Sequence, residues 1–165
     1  MSNNFFKKIL KKTSKKLDDF TFLNKVEIFK NLSKSELSLF AKLFLIRKFE
    51  QGEIIFRETY PHVVLYIIKS GEVEIFLENT ENNIVISQLS EASHFGEIGL
   101  FAEVNRIASA KATKETTLYA VTKNDFRRFV RKNPATGIKL LYNLGEHMAL
   151  GLINSNQRLK KYEIR

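Results

Sequence analysis

Apolar and polar residues alternate along the middle of the chain. In segment 72–78, the apolar residues Val73, Ile75 and Leu77 alternate with mostly acidic residues. A period of two is typical of a strand with one buried face. Short segments of this kind occur from about residue 45 to residue 121, separated by residues that favour turns. These turn positions are Gly52, Gly71, Asn82 and Asn83. The pattern predicts an antiparallel β jelly roll, or double-stranded β-helix.

Helical spacing of apolar residues precedes this β region. A short helical pattern covers residues 20–29. Ser33 and Glu36 then have the spacing of a capping box, in which each side chain accepts a hydrogen bond from the other residue's backbone N–H. Leu37 and Phe40 follow on one face of the predicted helix. We therefore predict helices ahead of the β-roll.

Helical spacing returns after the β region. Segment 124–132 has Phe126 and Phe129 at a three-residue step, and Pro134 is suited to the first turn of another helix. We predict this last helix from about residue 135 to residue 161. Its apolar stripe contains Ile138, Leu141, Leu144 or Gly145, Met148 and Leu152, and it can extend to Leu159. The predicted fold is therefore mainly β, with flanking N-terminal and C-terminal helices.

Chain length and composition fit one folded domain. The chain has 165 residues, of which 44% are hydrophobic, enough for a sizeable core. We assign residues 20–165 to this domain, with the β-roll at about 45–121 and the C-terminal helices at 123–161. Cysteine is absent, which excludes a disulfide framework. No apolar run reaches the roughly 18–20 residues needed to span a bilayer, and no secretory signal pattern occurs, so we expect a cytoplasmic protein.

Positive charge is concentrated in residues 1–19. The chain has a net charge of +9, and six lysines without any acid lie in residues 1–16. Apolar residues that include Ile9 and Leu10 fall between these lysines at helical spacing, which predicts a basic amphipathic segment. Such a helix can contact an anionic membrane surface through residues 5–17, or it can dock on an acidic partner. The alternative is a solubilising segment that packs its apolar side on its own domain.

The segment from Phe95 to Ala112 carries the main candidate chemistry. Gly96 has no Cβ, so the backbone there can turn tightly and approach a ligand closely. A short helical turn from Glu97 would direct unpaired backbone N–H groups toward an anion, and Arg106 would add a fork of donors. Glu97 would repel a phosphate, but it can accept a hydrogen bond from a ribose hydroxyl. A phosphate beside a sugar hydroxyl describes a compact nucleotide.

The same segment resembles the phosphate-binding cassette of the cyclic nucleotide-binding domain family. The matching motif is FGEIGL at residues 95–100, followed by an arginine and small residues. Two upstream segments, FEQGEIIF at 49–56 and LYIIKSGEVEIF at 65–76, resemble the family's first strands and turns. The resemblance covers about residues 30–155. It implies ligand-binding roles for Phe95, Gly96, Glu97, Ile98, Gly99, Leu100, Arg106, Ile107, Ala108 and Ser109.

The resemblance implies a ligand, an output and partners. The family includes catabolite-activator-type sensors and regulatory subunits of cyclic-nucleotide-dependent kinases. cAMP or cGMP would place its phosphate on Arg106 and the backbone of residues 96–99, and its ribose hydroxyl on Glu97. The last helix would close over the base and signal to a protein partner that the sequence does not identify. That helix often forms a dimer seam in relatives, so a homodimer and a monomer with a capping helix both stay open. No helix-turn-helix follows the domain, so we expect no direct DNA binding.

Several positions depart from the family's pattern. The family's glycine-rich turn with an acid is replaced by bulkier residues at 59–64. The residue after the arginine is Ile107, whose side chain cannot donate a hydrogen bond to a phosphate. Two interpretations therefore stay open. One is a cyclic-nucleotide sensor; the other is a ligand-free member in which Glu97 and Arg106 form an internal salt bridge and which docks on a protein or a membrane.

Other chemistry has weak support in the sequence. His62, His94 and His147 are dispersed and lack metal-ligand spacing, so we predict no metal site. His94 adjoins the cassette, where we expect a structural role. No nucleophile elbow, HExxH motif or P-loop occurs, and three dispersed histidines do not form the cluster that a metal enzyme of this fold needs. We therefore predict a regulatory protein with no catalytic residues.

Overall fold

The computed structural model describes residues 20–80 and 82–163. Within these residues, eight strands form two antiparallel sheets of four strands each, with helices before and after them. The strands are β1 (Leu45–Phe49), β2 (Ile54–Phe56), β3 (Val64–Ser70), β4 (Val73–Leu77), β5 (Ile84–Leu89), β6 (His94–Phe95), β7 (Ser109–Ala112) and β8 (Thr116–Thr122). This architecture confirms the predicted β-roll with flanking helices.

The helical elements lie at both ends of the chain, apart from one short turn inside the roll. Residues 20–23 are helical. Two 3-10 turns, Glu27–Phe29 and Ala41–Leu43, lie before and after the next α-helix. The α-helices that follow residues 20–23 are α1 (Lys34–Phe40), α2 (Ile98–Phe101), α3 (Lys123–Lys132) and α4 (Pro134–Glu163). The short turn α2 lies between β6 and β7, so the cassette is held between strands of a rigid scaffold.

Strand pairing brings the cassette to the edge of a sheet. The strand order is β1-β8-β3-β6 in the first sheet and β2-β7-β4-β5 in the second. In the first sheet, Tyr66 of β3 lies opposite both Ala120 of β8 and Phe95 of β6. Because β6 is the edge strand, the chain that leaves it has room to turn around a ligand.

Apolar side chains pack in two clusters. Inside the roll, Ile68, Val73 and Leu118 are almost completely buried. A second cluster joins Leu65 and Val121 of the first sheet to the helices. Burial of a side chain of this size contributes about 1.5–3 kcal/mol. The helical side of this cluster contains Ile28, Phe29, Leu37, Phe40, Phe126, Phe129, Leu140 and Leu144.

The capping box of α1 also fixes the start of α4. The backbone N–H of Ser33 donates to Oε2 of Glu36 at 2.7 Å, and the N–H of Glu36 donates to Oγ of Ser33 at 3.3 Å. Oε1 of Glu36 also accepts from Thr136 Oγ1 at 3.1 Å and Lys139 Nζ at 2.9 Å. The hydrogen bond from Ser33, followed by that from Lys139, lowers the pKa of Glu36 to about 2. One carboxylate therefore ties α1 to the first turns of α4.

Burial divides α4 into an anchored first half and an exposed second half. Leu140 and Leu144 are fully buried. Asn143 Nδ2 donates to the carbonyl oxygens of Ile28, at 3.0 Å, and Lys30, at 2.8 Å. The apolar side chains of the second half are more than half exposed. These side chains are Leu150, Leu152, Ile153 and Leu159.

The apolar stripe predicted for α4 is wrong in part. Ile138 is 54% exposed, whereas Leu140 is fully buried. The buried face is displaced because α4 packs against α3 and the turn Glu27–Phe29, which the periodicity of the helix alone does not specify. Leu144 does lie on the buried face, as predicted.

Two expectations concern membranes. Across residues 20–80 and 82–163, every helix falls short of the length and apolar character that crossing a membrane requires. The basic amphipathic segment at residues 1–19, with its membrane contact through residues 5–17, lies outside the described residues.

Candidate functional site

A cavity of about 290 Å³ lies where the cassette faces the second sheet and α4. The second sheet supplies an apolar wall from Ile75, Ile86 and Leu89, and α4 supplies His147. The size is close to the lower end of the range for small-molecule sites. The predicted site residues on the cavity wall are Phe95, Gly96, Glu97, Ile98, Arg106, Ile107 and Ala108.

Gly96 makes the close approach that its position in the motif predicts. Its φ angle is +85°, a conformation that glycine adopts without strain. A Cβ here would lie 2.6 Å from the carbonyl oxygen of Val64 and 2.7 Å from Nη1 of Arg106. Any other residue would therefore both strain the backbone and displace the arginine.

The other three predicted site residues support the cavity from outside. A Cβ on Gly99 would overlap the carbonyl oxygen of His62, so this glycine permits contact between two backbone segments. Leu100 belongs to the hydrophobic core. The Oγ of Ser109 accepts from the backbone N–H of Glu58 and donates to Oε1 of Glu78, both at 2.7 Å. Through these contacts, Gly99, Leu100 and Ser109 hold the segments around the cavity in place.

Arg106 is a buried cation with unused hydrogen-bond donors. The residue is 5% exposed, and its Nη2 donates to the carbonyl oxygen of Val64 at 3.0 Å. The guanidinium carbon lies 3.8 Å from the ring centroid of Phe56, a cation–π contact. Nε and Nη1 have no hydrogen-bond partner among the described residues. Burial lowers the pKa of Arg106 to about 10, so the side chain is still charged at pH 7.

Glu97 is an acceptor on the same wall. It immediately precedes α2 and is partly buried, and its carbonyl oxygen accepts the N–H of Leu100 at 2.9 Å. Its Oε2 is buried without a hydrogen-bond partner in the part of the chain that the structure describes. The cavity thus holds an unpaired acceptor and the unpaired donors of Arg106.

The segment that departs from the family pattern holds Arg106 in place. Thr59 has a φ angle of +70°, in the left-handed region where glycine is favoured. Its N–H donates to the carbonyl oxygen of Arg106, and the N–H of Arg106 donates to the carbonyl oxygen of Tyr60, both at 2.8 Å. Pro61 and Asn105 continue this pairing as an antiparallel bridge. The replaced glycine turn therefore still positions the arginine through its backbone.

Two buried histidines also line the cavity, although the sequence motif did not identify them. His62 and His94 are each 6% exposed. Burial, with a smaller contribution from the charge of Arg106, lowers the pKa of His62 to about 4. Burial, with a smaller contribution from His147, lowers the pKa of His94 to about 3. Both imidazoles are therefore neutral at pH 7.

His94 and His147 meet across the cavity. Their ring centroids are 4.2 Å apart, although the two residues belong to β6 and to α4. No spacing rule links them in the sequence, so only the fold shows their proximity. Of the other wall residues outside the motif, Ile75 had a signal, because the alternation of its strand predicted an inward-facing side chain.

Known proteins resemble this chain over most of the described region. Residues 46–133 match the family model of the cyclic nucleotide-binding domain. The chain is 32% identical over 110 residues to the cyclic AMP receptor protein of Thermus thermophilus, covering 65% of this chain and 50% of that protein. It is 29% identical over 109 residues to the cAMP-dependent protein kinase regulatory subunit of Emericella nidulans, covering 66% of this chain and 26% of that protein. The chain thus spans half or less of these relatives.

Solved structures agree with the sequence matches. The catabolite activator protein of Thermus thermophilus superimposes with a TM-score of 0.75 at 28% identity, over 83% of this chain and 63% of that one. A cyclic nucleotide-binding domain from Methylobacillus flagellatus has a TM-score of 0.76 over 86% of this chain and 80% of that one. Its identity to this chain is 19%, so it supports the fold alone. Because the family model covers more than half of the chain, this protein belongs to the cyclic nucleotide-binding domain family, as the cassette motif predicted.

Proposed function

We propose that this chain is a non-catalytic regulatory module that binds cAMP or cGMP in the cavity beside Arg106. The observation that carries the proposal is the environment of this arginine, which is buried and charged while its Nε and Nη1 lack partners among the described residues. A buried charge without a partner is costly. A phosphate would supply the charge-assisted hydrogen bonds that these N–H groups lack.

Glu97 supports the same ligand. Its unpaired Oε2 would accept a hydrogen bond from a ribose hydroxyl. In a ligand-free site, Glu97 and Arg106 would be expected to satisfy each other, yet Oε2 of Glu97 and both Nε and Nη1 of Arg106 are unpaired within the described residues. The unpaired atoms therefore favour the sensor over the ligand-free docking module.

The remaining parts of a nucleotide find suitable surroundings. Backbone N–H groups of residues 96–98, which line the cavity, would add contacts to the phosphate, and the base would pack against Ile75, Ile86 and Leu89. Ile107 lies on the cavity wall but is 64% exposed, so this departure from the family pattern does not fill the cavity. The side chain thus leaves room for a ligand.

The output would come from α4. This helix contributes His147 to the cavity wall, and its exposed second half is free to change position. A protein partner, a homodimer formed through α4, a cytoplasmic location and a membrane contact through residues 5–17 stay predictions. Two of the matched relatives are named for cAMP, so cAMP is the first ligand to test.

Calorimetric titration of the full chain with cAMP and cGMP tests the proposal. Arg106→Met removes the unpaired donors, and Arg57→Met is the matched control, because Arg57 is half exposed and pairs with Glu78 outside the cavity. Loss of two charge-assisted hydrogen bonds, at about 1.5 kcal/mol or more each, should weaken binding by about 100-fold or more. The control should bind like the wild type. No heat with either nucleotide, or equal affinity in Arg106→Met, would overturn the proposal.

A further inference from the structure

Three potential metal ligands from separate parts of the chain meet at the cavity. His94 lies in β6, Glu97 precedes α2, and His147 lies in α4. One ligand atom from each residue lies within 4.8 Å of the others. His94 is buried, and the other two residues are partly buried.

Two of these residues each carry a candidate ligand atom that is unpaired among the described residues. Nε2 of His94 and Oε2 of Glu97 are buried and lack hydrogen-bond partners. Buried polar atoms are satisfied in the great majority of cases, so exceptions call for an explanation. A cation between the two atoms would satisfy both, and it would use their lone pairs directly.

We propose that His94, Glu97 and His147 form a binding site for a divalent transition-metal ion, with Zn²⁺ as the expected occupant. Two imidazole nitrogens and one carboxylate oxygen are a common ligand set for Zn²⁺ that leaves a fourth position open to water. Magnesium and calcium prefer sites made of oxygen ligands, whereas two of the three ligands here are imidazole nitrogens. The chain has three histidines and no cysteine, so this cluster holds two of its three imidazoles.

Any pair of these ligand atoms near the 4.8 Å limit would have to move closer on binding. Ligand atoms about 2.0–2.2 Å from a tetrahedral ion are separated by roughly 3.3–3.6 Å, less than the 4.8 Å limit found for this cluster. The movable member is His147, because it is partly exposed and lies just beyond the anchored half of α4. A bound ion would therefore draw this helix toward the cassette. The positive charge of Arg106 on the same wall opposes the ion, so we expect micromolar affinity.

Cobalt provides the direct test, because Co²⁺ bound at a tetrahedral site has a strong visible absorption. The full chain, purified without an oligohistidine tag, would be titrated with CoCl₂ and then with ZnCl₂. We expect one Co²⁺ per chain, displaced by Zn²⁺. His94→Gln and His147→Gln should each weaken Co²⁺ binding by tenfold or more. Glu146→Gln is the matched control, since this neighbour of His147 pairs with Lys30 outside the cluster and should not change the titration.

The outcomes separate the metal site from nucleotide binding. Absence of tetrahedral Co²⁺ absorption in the wild type would overturn the metal site, as would an unchanged titration in His147→Gln, whose partly exposed position makes it the safer variant for folding. The Co²⁺ titration uses no nucleotide, so its result does not depend on the proposed function. One consequence rests on both proposals: because Glu97 belongs to both sites, saturating Zn²⁺ should raise the apparent Kd for the nucleotide by tenfold or more. An unchanged Kd would refute the competition.

Discussion

Replacing Arg106 by methionine distinguishes a ligand-binding arginine from a structural one without adding any ligand. Methionine keeps an unbranched chain over the ring of Phe56, which lies 3.8 Å from the guanidinium carbon, and it removes all N–H donors. In a ligand-free sensor, the substitution removes a buried charge that is incompletely paired. In a closed module with a structural arginine, it breaks a contact on which the fold depends.

The expected change in stability follows from contacts that oppose each other. Loss of the hydrogen bond from Nη2 to Val64 costs about 1.5–3 kcal/mol, because the donor is charged. Loss of the cation–π contact costs about 0.5–2 kcal/mol. Removal of two unpaired buried N–H groups returns about 1–3 kcal/mol each, reduced by any hydrogen bonds that cavity water supplies. These contributions nearly cancel, so the free energy of unfolding should change by no more than about 1 kcal/mol.

Urea unfolding at pH 7 without nucleotide, followed by circular dichroism, measures this change, with Arg57→Met as the control. Loss of one partner from a buried ion pair would instead cost about 3–5 kcal/mol. In a domain of this size, 1 kcal/mol moves Tm by about 2–4 °C, so thermal unfolding also separates the two cases. A loss of 3 kcal/mol or more in Arg106→Met would refute the reasoning and make Arg106 a structural residue.

Further predictions concern the scaffold. Gly99→Ala should cost about 1–3 kcal/mol of stability in thermal unfolding, because its Cβ would overlap the carbonyl oxygen of His62. Gly151→Ala is the control: a Cβ there meets open space, so this variant should gain up to about 1 kcal/mol of stability. Ser109→Ala should cost about 1–3 kcal/mol, because a backbone N–H loses its acceptor, while calorimetry should show nucleotide affinity within about threefold of the wild type. The pKa of Glu36 is about 2 in the folded protein and 4.5 ordinarily, so its carboxylate stabilises the fold above pH 4.5, and this stabilisation is lost as the pH falls toward 2. In urea unfolding, Glu36→Gln should therefore be less stable than the wild type above pH 4.5. This difference in the free energy of unfolding should disappear as the pH falls toward 2.

Contrary results in these experiments have specific meanings. Equal thermal stability of Gly99→Ala and the wild type would show that the two backbone segments separate at little cost. A large loss of nucleotide affinity in Ser109→Ala would show that Ser109 contributes to ligand binding. A pH-independent difference between Glu36→Gln and the wild type would show that the carboxylate does not hold α1 against α4 through its charge.

Local patterns predicted the elements of this fold because the relevant interactions are local. The capping box of Ser33 and Glu36 needs only residues three apart, and it forms as predicted. The alternation around Val73 and Ile75 likewise predicted strand β4. The edge strand β5 is different, since its apolar residues are about half exposed. Those residues are Ile84, Val85 and Ile86. Which strand lies at the edge depends on topology, which no local pattern contains.

The candidate site likewise contains some residues that the sequence predicted and others that it did not. Residues 95–98 and 106–108 were predictable, because one continuous motif carries them to the cavity wall. His62 and His147 were not, because the first comes from a loop that departs from the family pattern and the second from a helix that returns to the cavity. The three histidines looked dispersed because metal-ligand spacing rules apply within one element. The fold brings His94 and His147 together, so their separation along the sequence is no longer an argument against a metal site.

In the proposed sensor, the division of α4 would determine how a small change at the cavity becomes a signal. Glu36 and Asn143 fix its first half, and His147 is the helix residue on the cavity wall. From His147 to Glu163 the helix extends about 24 Å, at about 1.5 Å per residue. A tilt of about 10° at His147 would therefore move the end of the helix by about 4 Å. Because four large apolar side chains from Leu150 onward are exposed, such a movement would displace an apolar surface without breaking the core. Under the proposed function, a ligand that fills the cavity would need only to shift His147 to produce this output, so we expect a partner to bind the exposed half of the helix.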